Sequence, residues 1–322
     1  MMKRWMVLGL IAVGLSQLVW AEPHPGAEAF VARMAQEHAV DPELIRSVLN
    51  EAEYKQSIID AMTRPAEAKP WYDYRPIFLT DTRIMGGVEF WRANQALLEQ
   101  VSEQFGIPIE MVVAIVGVET NYGMNTGSFR VIDALATLGF YYEPRSAFFS
   151  SELGHFFALA NEEGLPLEEI RGSYAGAMGL GQFIPSSYRA YAVDFDGSGH
   201  RDLWRSLPDA LGSVANYLAE HRWIEGQPIA LPIEEVSPEA STEGFAMKPA
   251  HTIEDIAQMG FVFDPQGLDP STPATVIQLD GESGPEYWLG LNNFYVITRY
   301  NRSPLYAMAV TQLAEAIAQQ AL

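Results

Sequence analysis

The chain has 322 residues, of which 48% are hydrophobic and 19% are charged, and its net charge is −21. This composition is that of a globular protein with a sizeable core, and it excludes a disordered chain. So acidic a surface argues against nucleic acid and anionic membranes as partners, and uncharged ligands such as sugars fit it better.

The N-terminal segment has the pattern of an export signal. Lys3 and Arg4 precede an apolar run, and small residues follow up to Ala21, which is the order that a signal peptidase reads. We therefore predict a signal peptide over residues 1–21 and a periplasmic mature chain. The alternative is an uncleaved membrane anchor, for which the apolar run is short. Because the sequence has no cysteine to acylate, we predict no stable membrane anchor after cleavage.

Residues 22–87 are predicted to form an N-terminal helical region. Asp41 is a suitable N-cap with Pro42 at the first helical position, a pairing that typically starts a helix. The segment 64–80 is rich in proline and aromatic residues and predicts an ordered, extended loop. Its aromatic side chains either fill the core or offer platforms for sugars. Helices are predicted over 27–39, 41–52 and 56–62.

Residues 88–225 are predicted to form the catalytic core. Amphipathic spacing predicts one helix over 88–105. Pro108 starts the next helix, which carries an almost wholly apolar run to Glu119, and Gly123 is expected at its C-cap. Later helices of this region are predicted over 129–139, 146–163, 186–192 and 207–220.

The amino-acid composition changes after Trp223. Residues 226–291 contain many prolines and glycines and short β-like runs at 274–279 and 287–289, which predict a small α/β insertion. Residues 292–322 are predicted to complete the cleft and the core with a strand over 294–300 and a final helix over 305–320, and Ser303 with Pro304 is expected to cap the start of that helix.

Glu119 is a carboxylate at the end of the apolar stretch VVAIVGVETNYG. Burial among apolar groups raises the pKa of a carboxyl group, because desolvation penalises the charged form. A carboxylic acid that keeps its proton near neutral pH is what glycosidic bond cleavage requires. The alternative is a glutamate at a helix end that points to water.

Two later segments contain neutral hydrogen-bonding groups suited to a polyol. GSYAGAMGLGQFIPSSY, residues 172–188, combines glycines that permit close backbone approach with Ser173 and Gln182. VITRYNRSPLYAMAV, residues 296–310, groups tyrosines with an asparagine. The alternatives are a tight structural turn for the first segment and a strand-to-helix junction for the second.

The motifs VETNYG, GAMGLGQFIPSSY and RYNRSPLYAMAV occur in this order, with an acidic loop between the last two. In this order they resemble the membrane-bound lytic murein transglycosylase B family, from about residue 28 to the C-terminus. The resemblance implies a mainly α fold: a lysozyme-like helical catalytic core with an N-terminal helical region and a small α/β insertion. It also implies cleavage of the β-1,4 bond between N-acetylmuramic acid and N-acetylglucosamine in peptidoglycan glycan strands, with formation of 1,6-anhydromuramoyl ends.

The resemblance places Glu119 on the family's single catalytic glutamate, acting first as general acid and then as base. The substrate's acetamido group replaces the second carboxylate of ordinary glycosidases, and no cofactor is implied for catalysis. Well-known family members are lipoproteins, whereas this chain resembles the soluble form. The resemblance is compatible with cell-wall synthesis proteins as partners. Substrate contacts are implied for Ser173, Gln182, Arg145, Tyr217, Tyr300, Asn301, Tyr306 and Tyr74.

The acidic loop DFDGSGHRD has calcium-loop spacing. Asp194, Asp196 and Ser198 occupy positions one, three and five, a glycine occupies position six, and the carbonyl of His200 occupies position seven. Arg205 stands at position twelve, where an acid is usual, and the family resemblance makes Asp209 the closing ligand. We predict a structural calcium ion here; the alternative is an Asp/Gly turn that binds nothing.

Three other functions are compatible with the sequence. A muramidase-type hydrolase would use the same glutamate with water as the acceptor. A non-catalytic peptidoglycan-binding protein would keep the cleft without the chemistry. A calcium-dependent structural module would use only the acidic loop.

Overall fold

The computed structural model describes residues 23–64 and 68–321. The predicted signal peptide over residues 1–21 lies outside them. Within the described ranges, no single helix is long and apolar enough to cross a membrane. One bent pair of neighbouring helices, Gln95–Phe105 and Ile109–Thr120, passes the same test only when the two are taken together.

The described chain is mainly helical, as predicted. Its α-helices are Ala27–His38 (α1), Pro42–Glu51 (α2), Gln56–Met62 (α3), Trp71–Phe78 (α4), Asp81–Ala93 (α5), Gln95–Phe105 (α6), Ile109–Thr120 (α7), Val131–Tyr141 (α8), Ser146–Glu163 (α9), Pro185–Tyr191 (α10), Leu207–Glu220 (α11), Ile253–Gln258 (α12), Asn292–Tyr300 (α13) and Pro304–Ala321 (α14).

The strands are short, apart from one hairpin. They are Phe129–Arg130 (β1), Arg171–Gly172 (β2), Ala230–Pro232 (β3), Glu235–Val236 (β4), His251–Thr252 (β5), Phe261–Val262 (β6), Pro273–Gly281 (β7) and Gly284–Gly290 (β8). The largest sheet is antiparallel with the order β3-β8-β7-β5, while β1 pairs with β2 and β4 pairs with β6. The predicted β-like runs at 274–279 and 287–289 are therefore strands.

Two hydrophobic cores meet at strand β7. The larger core includes residues from helices α1 to α11, α13 and α14, and the smaller one lies inside the sheet region. Ala274 and Val276 belong to the small core, whereas Ile277 and Leu279 belong to the large one. Because side chains alternate between the two faces of a strand, one face of β7 packs in the small core and the other packs in the large core. This strand therefore connects the insertion to the helical body.

The predicted loop over 64–80 is wrong, because this segment contains helix α4. Pro76 lies inside the helix and removes a hydrogen bond, at a cost of about 3 kcal/mol. Trp71 and Tyr74 are each 1% exposed. Burial of two aromatic side chains contributes roughly 3–6 kcal/mol, which is enough to keep the helix.

The predicted single helix over 88–105 is also wrong. The chain breaks at Asn94, whose φ of −121° ends α5 and precedes α6. The Asn94 side-chain amide donates to the carbonyl of Phe90 at 2.8 Å. A side chain that bonds its own backbone competes with helix continuation.

The predicted strand over 294–300 is a third wrong assignment, because these residues form helix α13. The segment is rich in β-formers, which explains the misreading. Phe294, Val296 and Ile297 are buried in the large core, and this tertiary packing overrides the local preference.

Two predicted helix starts are confirmed by their caps. The Asp41 carboxylate accepts a hydrogen bond from the Glu43 amide at 3.0 Å. The Ser303 hydroxyl accepts one from the Tyr306 amide at 3.3 Å. Both side chains satisfy amides that have no partner within the helix. The second cap fixes the start of α14, which packs along α7.

Candidate active site

Glu119 lies in the last turn of α7 and is half-buried. Its Oε1 accepts a hydrogen bond of 2.6 Å from the Tyr306 hydroxyl in the first turn of α14. Since α7 is buried from Met111 to Gly117, the carboxyl group is carried at the end of a rigid core helix. The Tyr306 hydroxyl holds one of the two carboxyl oxygens of Glu119 in position.

Two tyrosine hydroxyls stay protonated around this carboxyl group. Burial raises the pKa of Tyr306 well above its usual value, and the nearby Glu119 charge raises it further. The pKa of Tyr300 is raised for the same two reasons. The Tyr300 hydroxyl donates to the Gly181 carbonyl at 2.6 Å. Both phenols are therefore donors across the physiological pH range.

The end of α7 is joined to the glycine-rich loop. The Thr120 hydroxyl lies 3.1 Å from the carbonyl oxygens of Val116 and Leu180, and it accepts from the Gly123 amide at 3.1 Å. The C-cap is Asn121, with φ of +50°, rather than the predicted Gly123. The helix that carries Glu119 and the glycine-rich loop are thus held together by the Thr120 hydroxyl.

The glycine-rich loop presents Ser173 and Gln182 beside this junction. The Ser173 hydroxyl oxygen accepts from the amides of Ala175 and Ala177 at 3.1 and 3.0 Å. These bonds leave the hydroxyl hydrogen for a ligand. The Gln182 side-chain nitrogen donates to the carbonyls of Thr126 and Gly179 at 3.1 and 2.9 Å, and these bonds do not use the amide oxygen.

Gly181 shows why this loop requires glycine. A Cβ atom at this position would lie 2.9 Å from the Tyr300 hydroxyl oxygen, which is closer than side-chain atoms normally approach. The missing side chain therefore permits the Tyr300–Gly181 hydrogen bond.

Three of the predicted substrate-binding tyrosines are buried. Tyr74 is 1%, Tyr306 is 2% and Tyr217 is 7% exposed. The Tyr217 ring lies 4.7 Å from the ring of Tyr300, and its hydroxyl donates to the Arg299 carbonyl at 2.5 Å. In this structure these three rings are packed in the large hydrophobic core, and direct ligand contact by them stays a prediction.

Arg145 and Asn301 occupy different parts of the molecule. Arg145 is exposed at the short 3₁₀ turn before α9, with its guanidinium 4.5 Å from the Phe148 ring centre and 5.0 Å from that of Phe149. Asn301 directly follows α13 and is half-buried, and its carbonyl accepts from the Ser303 amide at 2.7 Å. Asn301 therefore lies in the short connection between α13, which ends at Tyr300, and α14, which carries Tyr306 in its first turn.

The acidic loop brings three carboxylates together. One oxygen from each of Asp194, Asp196 and Asp209 lies within 4.8 Å of the others. Asp209 is fully buried and accepts hydrogen bonds from the amides of Phe195, Asp196 and Asp202. This carboxylate, from the first turn of α11, thus ties the two ends of the loop together.

The remaining predicted ligands lie in the same loop. The Ser198 hydroxyl donates to the His200 carbonyl at 3.2 Å, and the Ser206 hydroxyl donates to Asp196 at 2.7 Å. This second bond is the largest of the hydrogen bonds that lower the pKa of Asp196. An ionised, oxygen-only donor set is what calcium prefers, so the residues present fit that ion.

The buried carboxyl group of Glu152 was not foreseen from sequence. It is 4% exposed and accepts from the amide and hydroxyl of Ser186 at 2.9 and 2.8 Å. It therefore holds the start of α10, directly after the glycine-rich loop. Burial raises its pKa, and the bonds from Ser186 oppose that change. The only sequence signal was an acid on a helix rich in phenylalanine.

The chain matches known proteins over most of its length. Residues 23–315 match the family model of the transglycosylase SLT domain. The chain is 40% identical over 305 residues to membrane-bound lytic murein transglycosylase B of Escherichia coli strain K12, covering 92% of this chain and 83% of that protein.

Solved structures agree with this match. The soluble lytic transglycosylase SltB1 of Pseudomonas aeruginosa has a TM-score of 0.84 at 45% identity, covering 92% of this chain and 99% of that one. The Escherichia coli lytic transglycosylase Slt35 in complex with calcium has a TM-score of 0.81 at 38% identity, covering 92% and 94%. SltB3 of Pseudomonas aeruginosa, in complex with NAG-anhNAM-pentapeptide, has a TM-score of 0.77 at 32% identity, covering 90% and 79%.

Proposed function

The chain belongs to the transglycosylase SLT family and is a lytic murein transglycosylase, and we propose that Glu119 is its single general acid and base. The bond cleaved is the β-1,4 bond between N-acetylmuramic acid and N-acetylglucosamine. The observation that carries this proposal is the half-buried Glu119 carboxyl group held by the Tyr306 hydroxyl at 2.6 Å.

In the first step, Glu119 donates its proton to the oxygen that leaves with N-acetylglucosamine. The bond from this oxygen to the anomeric carbon of N-acetylmuramic acid breaks, and the substrate's acetamido oxygen stabilises the positive charge that develops on that carbon. The apolar helix around Glu119 favours a neutral acid at the start.

In the second step, the Glu119 carboxylate takes the proton of the muramoyl 6-hydroxyl. That oxygen attacks the anomeric carbon, so that a 1,6-anhydro ring forms and no water is consumed. Tyr306 donates to the carboxylate between the two steps, when its charge is greatest. The acid is regenerated for the next cycle.

Ser173 and Gln182 are suited to holding the glycan in place. The hydroxyl hydrogen of Ser173 and the amide oxygen of Gln182 provide one donor and one acceptor next to the helix that carries Glu119. Neutral groups of this kind match the hydroxyl and acetamido groups of the sugar. Asn301, between Tyr300 and Tyr306, extends this set.

We also propose that Asp194, Asp196 and Asp209 bind a structural calcium ion, with Ser198 and the His200 carbonyl completing the site. The three carboxylates lie within 4.8 Å of one another, and the related Slt35 is known in complex with calcium. The ion would neutralise the clustered charge, while the residues of the chain hold the loop against α11.

Product analysis tests the reaction. Purified mature protein acting on murein sacculi is expected to release fragments with anhydro ends, which mass spectrometry distinguishes because they lack one water relative to reducing ends. Reducing ends alone would establish the muramidase alternative. Binding to sacculi with no released fragments would establish the non-catalytic one.

The proposed place of action is the periplasm, after removal of residues 1–21. N-terminal sequencing of the exported protein is expected to start at Glu22. An N-terminus at Met1 or Met2 in the membrane fraction would contradict it.

A further inference from the structure

Helices α1, α9 and α10 meet at the side chain of His155, which the proposed reaction does not use. His155 lies on α9 and is half-buried. Its ring lies 5.4 Å from the ring of His38, at the C-terminal end of α1. Its Nδ1 atom lies 2.7 Å from Nη1 of Arg189 on α10. One titratable side chain therefore contacts both neighbouring helices.

Helix α1 approaches α9 closely next to this ring. A Cβ atom at Gly154 would lie 2.3 Å from Sδ of Met34 and 3.7 Å from a ring carbon of His38. The missing side chain at Gly154 therefore lets the end of α1 pack directly on α9. This close packing contributes to the burial of His155, which follows Gly154 in the chain.

The contact with Arg189 shows which form of His155 this arrangement requires. A guanidinium group has hydrogen-bond donors only, so Nδ1 of His155 must be the acceptor and can carry no hydrogen. The neutral ring meets this condition when its hydrogen is on Nε2. A protonated ring has a hydrogen on both nitrogens. Protonation would therefore remove this hydrogen bond and place two cations side by side.

The charged groups that face His155 come from all three helices. Arg189 faces it from α10, His38 and Glu37 face it from α1, and Glu162 faces it from α9 itself. Burial lowers the pKa of His155 most, and positive charge on Arg189 and His38 lowers it further. The two carboxylates oppose this change without reversing it.

Both of these carboxylates already have an arginine partner. Glu162 accepts from Arg189 at 2.7 Å and lies 3.6 Å from Nη2 of Arg201. Glu37 lies 3.9 Å from Nε of Arg33. Their charges are therefore largely used in pairs that exist before His155 takes up a proton.

Helix α10 directly follows the glycine-rich loop that presents Gln182. Polar contacts from α9 hold this short helix at two places. Glu152 accepts from the amide and hydroxyl of Ser186, and one turn later His155 accepts from Arg189. Loss of the second contact weakens the hold on α10, and with it the hold on the end of the glycine-rich loop.

We propose that His155 is a pH sensor, which holds α10 against α9 when its ring is neutral and loosens α10 when its ring is protonated. Because the pKa of folded His155 is lowered, the stability it contributes is complete above the unfolded value of about 6.5 and is lost as pH falls through the folded value. A resulting fall in murein cleavage rests on the function proposed above, since it acts through Gln182, whereas the loosening of α10 does not.

Hydrogen–deuterium exchange measured by mass spectrometry tests the loosening directly. The mature protein is compared at about pH 7.5 and about pH 5, with a chelator in both buffers and correction for the intrinsic effect of pH on exchange. The amides of Tyr188 and Ala192, which donate within α10, are expected to lose protection about tenfold at the lower pH. Amides of α14 are the internal reference and should keep their protection.

Two substitutions at His155 separate charge from shape. His155→Gln has an amide oxygen that can accept from Arg189 and does not titrate, so protection of α10 should be the same at both pH values. His155→Lys carries a cation at both, so its α10 should be poorly protected already at about pH 7.5. The control is His251→Gln, which replaces a half-buried histidine of β5 and should keep the wild-type response.

Three results would overturn the proposal. They are unchanged protection of α10 in the wild type, an equal loss in the wild type and His155→Gln, and wild-type protection in His155→Lys at about pH 7.5. If α10 responds as expected but sacculi are not cleaved at either pH, the proposed reaction fails and the pH sensor stands.

Discussion

Glu119 and the acidic loop at Asp194, Asp196 and Asp209 place the same functional group in opposite environments. Glu119 is a single carboxyl group on an apolar helix, and the Tyr306 hydroxyl meets one of its oxygens. The loop gathers three carboxylates within 4.8 Å, and backbone amides donate to each of them.

The difference shows how the surroundings decide what a carboxyl group can do. Apolar packing favours the protonated form, which can give a proton away. In the loop, hydrogen bonds from Ser206 and Ser198 lower the pKa of Asp196, and clustered carboxylate oxygens can hold a cation. The first environment is suited to acid catalysis and the second to a structural ion.

The largest expected effect is on activity at Glu119. Glu119→Gln keeps the size of the side chain and removes the proton, so we expect release of fragments from sacculi to fall by at least about 10³-fold. Glu103→Gln, an exposed glutamate on α6, is the matched control and should retain activity. Unchanged lysis by Glu119→Gln would remove this residue from the mechanism.

The next effect is on stability at the acidic loop. Asp209→Asn replaces one acceptor oxygen with an NH₂ group facing backbone amides, and we expect a loss of about 3 kcal/mol in the free energy of unfolding. Urea unfolding with a chelator present measures it without any contribution from calcium. Asp280→Asn, at an exposed position of β7, should change stability by less than about 0.5 kcal/mol. Equal effects would show that the amide bonds to Asp209 matter little.

Calcium itself should stabilise only the loop with its three carboxylates. Calcium at about one hundred times its Kd should add about 2.7 kcal/mol, seen as a rise in Tm in calorimetry. Asp196→Asn should lose most of this rise, whereas Glu119→Gln should keep it. A wild-type Tm that does not respond to calcium would contradict the proposed ion site.

A smaller effect is expected on the rate when Tyr306 is replaced. Tyr306→Phe removes the donor to the Glu119 carboxylate, and we expect a fall in kcat of about tenfold. A hydrogen bond to a carboxylate favours its charged form, so loss of the Tyr306 bond should move the basic limb of the pH–rate profile to higher pH. Tyr54→Phe, an exposed tyrosine before α3, is the control. A slower rate with an unmoved profile would make Tyr306 a packing residue only.

The smallest effect concerns the buried Glu152, whose folded-state pKa is raised by burial. Such an acid contributes stability that is complete below its unfolded pKa and is lost as pH rises through the folded value. As pH rises from about 4 to about 7, the wild type should therefore lose free energy of unfolding that Glu152→Gln keeps, so the difference between them should shift in favour of the variant. Denaturant unfolding at both pH values measures this gain, and parallel pH curves for the two proteins would contradict it.

The sequence by itself determined the parts that depend on local chemistry. The apolar run of α7, the caps at Asp41 and Ser303, and the strands in the insertion follow from short-range patterns. The position of Glu119 at the end of an apolar helix was predicted from the same local pattern. The family motifs added the expected helical fold and its reaction class.

Tertiary structure alone decided the features that depend on distant residues. Glu119 and Tyr306 are 187 residues apart in the chain, so no local pattern can predict their bond. Helix α13 forms from β-favouring residues because the large core buries one of its faces. Packing energies summed over many contacts exceed the local backbone preferences that a sequence displays.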